Sequence, residues 1–90
     1  MLKVTVVEDD MNYCRYLVDC INRKHGYECK NYFGDAGSFI KFLQDGGDVD
    51  LLLLDLRLPG MSGLEALEPI LNLRGDLKIL ILTIYDDNPG

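Results

Sequence analysis

Asp55 ends an apolar run, Leu51-Leu52-Leu53-Leu54, and precedes Leu56-Arg57-Leu58-Pro59-Gly60-Met61-Ser62-Gly63. A charged side chain after four leucines belongs where a strand ends and delivers it to a surface. A second run, Lys3-Val4-Thr5-Val6-Val7, delivers Glu8, Asp9 and Asp10 in the same way. In open parallel sheets, ligands bind outside the carboxyl ends of the strands, where the winding reverses. Carboxylates gathered there repel one another unless a cation neutralises them, and hard oxygen donors select Mg²⁺ or a similar ion. Mg²⁺ retains waters, so one or two carboxylates and a backbone carbonyl are enough protein ligands. The same ion would offset the charge of a phosphoryl group transferred to Asp55, which makes Asp55 a carboxylate nucleophile. Thr83 follows a further apolar run, Ile79 to Leu82, and its hydroxyl can hydrogen-bond a phosphoryl oxygen there.

The elements that must position these groups alternate between strand and helix. Residues 2–8 read as a strand. Asp10 or Asn12 then caps a helix whose apolar positions Cys14, Leu17, Val18 and Ile21 fall on one face, and Lys24, His25 and Gly26 end it. Asp10 reads as a cap rather than a ligand, and His25 as an exposed helix-end residue. Tyr27 to Phe33 reads as a short strand. Asp35 caps a second helix with Ala36, Phe39, Ile40 and Leu43 on one face, stopped by Gly46-Gly47. Val49 to Leu56 is a continuous apolar strand, which implies burial on both faces and a parallel sheet. A third helix runs from about Ser62 to Leu73 with Leu64, Leu67 and Leu71 inward. Pro69 is expected to kink it or end it early. Leu77 to Tyr85 reads as a fourth strand. The sum, βαβαβαβ, is the doubly wound α/β class. Three helices cannot cover both faces of four strands, so further chain or a partner is expected beside the fourth.

Ninety residues suit one small domain. Their 48% hydrophobic and 27% charged content is that of an ordinary globular protein. A net charge of −6 argues against direct nucleic-acid binding, which needs a basic face. It suits a cation site or a basic partner. The three cysteines, Cys14, Cys20 and Cys29, have neither disulfide-framework nor zinc spacing and read as reduced thiols of a cytoplasmic protein. No signal-peptide layout is present, and no apolar stretch approaches the ~20 residues of a membrane span. Neither secretion nor a membrane partner is expected.

Three segments together carry a resemblance: Val6-Val7-Glu8-Asp9-Asp10, Leu54-Asp55-Leu56-Arg57-Leu58-Pro59-Gly60-Met61-Ser62-Gly63-Leu64-Glu65, and Ile81-Leu82-Thr83. In order and spacing the chain resembles the receiver domain of two-component response regulators along all of its length. The resemblance implies a flavodoxin-like sheet of strand order 2-1-3-4, with residues 1–90 as one domain. Asp55 would be the phosphoacceptor, served by a sensor histidine kinase or phosphotransfer protein. Glu8, Asp9, Asp55 and the backbone carbonyl of Arg57 would hold Mg²⁺, and Thr83 would be the switch hydroxyl. At most, self-phosphorylation from a phosphodonor and autodephosphorylation are expected as activities. Receivers also carry a last helix–strand–helix, with a lysine on its strand, and this sequence does not reach that segment. Ile84 is bulkier than the residue usual after the switch hydroxyl, which would restrict access to Asp55. Tyr85-Asp86-Asp87 resembles receivers that regulate DNA-binding domains.

Two other readings compete. The chain would act as an interaction module without phosphorylation, with an open fourth-strand edge that pairs in a homodimer. A phosphohydrolase with an aspartate nucleophile is disfavoured, because Arg57 occupies the place where such enzymes often carry a second acid.

Overall fold

A computed structural model describes residues 1–82 of the chain. The strands are β1 (Leu2–Val7), β2 (Tyr27–Phe33), β3 (Leu51–Asp55) and β4 (Lys78–Leu82). Between them run helices α1 (Met11–Arg23), α2 (Ala36–Gln44) and α3 (Gly63–Leu73). The four strands form one parallel sheet in the order β2-β1-β3-β4, as expected. The chain winds from β1 outward to β2, then back past β1 to β3. The crevice between the C-terminal ends of β1 and β3 is therefore the point at which winding reverses.

Local chemistry sets most element ends. The Asp10 side chain accepts from the N–H groups of Asn12 and Tyr13 and caps α1. Asp35 caps α2 through the Ser38 N–H. Ser62 and Glu65 form a reciprocal capping box at the start of α3. Gly60, with φ of 73°, makes the turn between β3 and α3 in a conformation that other residues rarely adopt.

Two apolar cores lie on opposite faces of the sheet. On one face, Cys14 of α1 packs with Val4, Val6, Cys29 and Leu53, supported by Leu17, Val18 and Ile21. On the other, α2 and α3 bring Phe39, Leu43, Ala66 and Ile70 against Val7, Leu52 and Leu54. Each large side chain buried this way contributes roughly 1.5–3 kcal/mol.

Three expectations need correction. The inward face of α3 is Gly63, Ala66 and Ile70, with Leu67 partly buried beside them. Leu64 is 69% exposed and Leu71 43%. Close approach of α3 to the sheet requires small residues, so glycine and alanine take the places that leucines would fill at longer range. The helix also runs through Pro69 to Leu73 rather than ending early. Finally, β3 starts at Leu51 and ends at Asp55, inside the predicted span. Asp50 instead joins the start of β1, where its N–H donates to the Lys3 carbonyl and its carboxylate accepts from the Lys3 N–H, both at 2.8 Å.

The pairing of β1 and β2 is irregular. Lys3 lies opposite Glu28, but Thr5 lies opposite Asn31, so β2 carries one more residue than β1 over that step. Asn22 of α1 holds the bulge. Its amide donates to the Cys29 carbonyl at 3.1 Å, and its oxygen accepts from the Cys29 N–H at 2.8 Å. One side chain thus supplies both hydrogen bonds that a neighbouring strand would supply.

Candidate phosphoacceptor and metal site

The last residues of β1 and β3 bring the acids together. Val7 pairs with Leu54, so the residues that follow each, Glu8 and Asp55, leave the sheet side by side. Oxygens of Glu8, Asp9 and Asp55 all lie within 4.8 Å of one another. Glu8 is 2% exposed and Asp55 7%, whereas Asp9 is open to solvent. Asp10, one residue on, is committed to capping α1, and its N–H donates to Glu8 Oε2 at 3.3 Å.

Two buried carboxyl groups beside a third are costly when all are charged. Burial accordingly pushes the Glu8 carboxyl up to about 7, and its hydrogen bond with Asp55 adds to the rise. A site that holds a proton between its acids near neutral pH is one in which a cation could take the proton's place. The donor set suits a small hard cation. Oxygens opposite one another around Mg²⁺ are about 4.2 Å apart, given bonds of about 2.1 Å. The observed spread of 4.8 Å needs only a small closure, or one ligand acting through water.

The backbone after Asp55 fixes the carboxylate. The Arg57 N–H donates to Asp55 Oδ1 at 3.0 Å, while the Arg57 side chain is exposed. Arg57 thus meets the acidic cluster through its backbone N–H. Thr83, the fifth residue of the predicted site, lies outside the described residues.

Gly63 is the residue whose role was missed. Its N–H donates to the Leu56 carbonyl at 3.1 Å, which seats the start of α3 on the backbone around Asp55. A Cβ at this position would overlap the Asp55 carbonyl oxygen and lie 2.8 Å from the Leu56 Cα. The signal was in plain view, because a glycine directly after the capping serine stands where helices favour other residues.

Comparison with known proteins adds an independent line. The sequence profile described as the response regulator receiver domain matches residues 4–90. The cyclic di-GMP phosphodiesterase response regulator RpfG of Xanthomonas campestris pv. campestris is 36% identical over 91 residues, 98% of this chain. The chain spans 24% of the length of that relative. Among solved structures, a CheY-like receiver domain protein from Methanospirillum hungatei matches with a TM-score of 0.82 at 28% identity. That match covers 97% of this chain and 67% of the other. The complex of histidine kinase ThkA with response regulator TrrA matches with a TM-score of 0.78 at 32% identity, over all of this chain and 75% of the matched one.

Proposed function

The chain belongs to the response regulator receiver domain family, and from that premise we propose that it is a phosphorylation-operated switch whose phosphoacceptor is Asp55. The observation that carries this reading is the convergence of Glu8, Asp9 and Asp55 at the switch point of a doubly wound sheet. In the reaction, an Asp55 carboxylate oxygen attacks phosphorus as the bond to the donor breaks. When the donor is a phosphohistidine, the P–N bond is cleaved and the imidazole nitrogen takes its electron pair and then a proton. The product on this chain is an acyl phosphate, and water can later attack the same phosphorus to restore Asp55.

Oδ1 of Asp55 already accepts the Arg57 N–H, so we assign the attack to Oδ2. Glu8, Asp9, Asp55 and the backbone carbonyl of Arg57 would hold Mg²⁺. When bound, that ion supplies neutralisation of the phosphoryl oxygens and of the crowded carboxylates. Thr83 is assigned the hydroxyl that senses the phosphoryl group and shifts the chain between two states. A sensor histidine kinase or phosphotransfer protein is the proposed donor, supported by the complex that the TrrA regulator forms with its kinase. No helix among the described residues is long and apolar enough to cross a membrane. We place the protein in the cytoplasm with its donor, and its acidity argues against direct contact with nucleic acid.

Intact-mass spectrometry with Mg²⁺ and acetyl phosphate tests the assignment. One phosphoryl group is expected on the wild-type chain and none on Asp55→Asn. Equal incorporation by both would overturn it.

One observation favours a second reading, in which the chain assembles without phosphorylation. Among the described residues β4 is an edge strand, and Leu80 and Ile81 are 55% and 37% exposed on it. A homodimer in sedimentation that Leu80→Lys dissolves would support this reading, and a monomer at micromolar concentration would exclude it.

A further inference from the structure

Away from the acidic cluster, a cavity of about 220 Å³ lies beside the β1–β2 bulge, bounded by Phe42 of α2. By the share of liquid volume that one water takes, this is room for about seven waters. That scale admits a molecule the size of an amino acid and excludes a nucleotide. The wall is the Phe42 ring, and Thr5, itself 1% exposed, lines the interior. Phe42 is fixed from behind: a Cβ on Gly47 would come within 2.5 Å of the ring, so only glycine lets the ring lie where it does. Phe33 and Phe39 brace it further, at centroid distances of 5.3 and 6.0 Å.

The charges at the cavity are balanced, with Lys3 and Lys30 against Glu28 and Asp48. Balance removes any preference for a simple anion or a simple cation. Lys3 and Asp48 are closely paired. Glu28 and Lys30 are not: their charged atoms stand 3.9 Å apart, beyond hydrogen-bond range. The Glu28 side chain is nevertheless only 24% exposed. A largely sheltered carboxylate without a hydrogen-bonded cation, beside an exposed ammonium, suits a ligand that carries both charges close together.

We propose that this cavity binds a free α-amino acid with an apolar side chain. The ammonium of the ligand meets Glu28, its carboxylate meets Lys30, and its side chain lies against Phe42. Binding here is independent of Asp55 chemistry and does not rest on the function proposed above.

The test is a titration of the ¹⁵N-labelled protein with L-leucine, read at the Thr5, Glu28 and Asn31 amides. N-acetyl-L-leucine and L-leucinamide, each lacking one charge, run beside it. Saturable shifts with L-leucine are expected, with about tenfold weaker binding for each single-charge analogue, the loss of one charge-assisted contact. Glu28→Gln and Lys30→Gln both lie on an exposed or half-buried edge strand and should fold, and each should weaken L-leucine about tenfold. Three results would overturn the proposal: no saturable shift, equal binding of all three ligands, or unchanged binding in both variants. Equal binding would mean an apolar cleft that reads only the side chain, and no shift would mean a gap left by the bulge.

Discussion

Gly63 lies so close over Asp55 that one methyl group on it would overlap the Asp55 carbonyl oxygen. The contact is backbone to backbone, so no side-chain rotation can relieve it. Gly63→Ala should destabilise the fold by about 3 kcal/mol, toward the upper end of what overpacking costs. A urea melt measures this as a lower midpoint at unchanged slope. A variant as stable as the wild type would show that α3 moves freely away from the site.

Glu8 makes stability depend on pH in a defined direction. Its carboxyl ordinarily titrates at 4.5 and is raised to about 7 in the folded chain, chiefly by burial. Between these values the folded chain holds a proton that the unfolded chain has released. The contribution is fully present below about 4.5 and is lost as pH rises through about 7. The loss is on the order of 3 kcal/mol at most, from 1.36 kcal/mol per pKa unit. Glu8→Gln should flatten this dependence in metal-free protein and leave it the more stable of the two at alkaline pH. Melts across that range, with chelator present, provide the measurement.

Added Mg²⁺ should reverse the trend. Binding requires the deprotonated carboxylate, so affinity should climb as pH rises toward and past about 7. Free Mg²⁺ at 100 times its dissociation constant would stabilise the fold by about 2.7 kcal/mol. Asp9→Asn should remove most of that gain with little effect on metal-free stability, because Asp9 is exposed. Calorimetric titration at two pH values, with the variant alongside, checks both statements.

Asn22 provides a test of the sheet edge. Asn22→Ala removes both hydrogen bonds to the Cys29 backbone, each contributing about 1 kcal/mol. A loss of about 2 kcal/mol is expected. Amide exchange at Cys29 should quicken more than exchange at Val6, whose strand is flanked on both sides.

The strands and helix caps were legible in the sequence because their signals are local. Asp10 and Asp35 each stand just ahead of an apolar periodic run, and the structure shows both as caps; Ser62, read only as the start of the third helix, caps it as well. The meeting of Glu8, Asp9 and Asp55 was legible too, since each follows a run that can only be a strand. Leu64 and Leu71 misled because hydrophobicity was read as depth. In α3 the depth is set by how near the helix must come to Asp55, and Gly63 and Ala66 carry that information as small size. The bulge in β2 left no trace, because it depends on Asn22 reaching across from α1, a contact between residues seven apart in different elements.

A regular strand sends alternate side chains to opposite sides, so Cys29 and Phe33, both odd-numbered, would share one side of an even ribbon. They do not: Cys29 packs with Val4 and Cys14 beneath α1, while Phe33 packs with the core beneath α2. The extra residue in β2 changes the parity of the strand partway along. Its first half feeds one core and its second half the other, although it is the outermost strand on its side of the sheet. Removing Lys30 would leave Cys29 and Phe33 three positions apart, and an even ribbon would then hold each in the core it occupies now. The bulge is therefore a reading-frame shift written in three dimensions: it lets two side chains four positions apart serve opposite faces of the sheet.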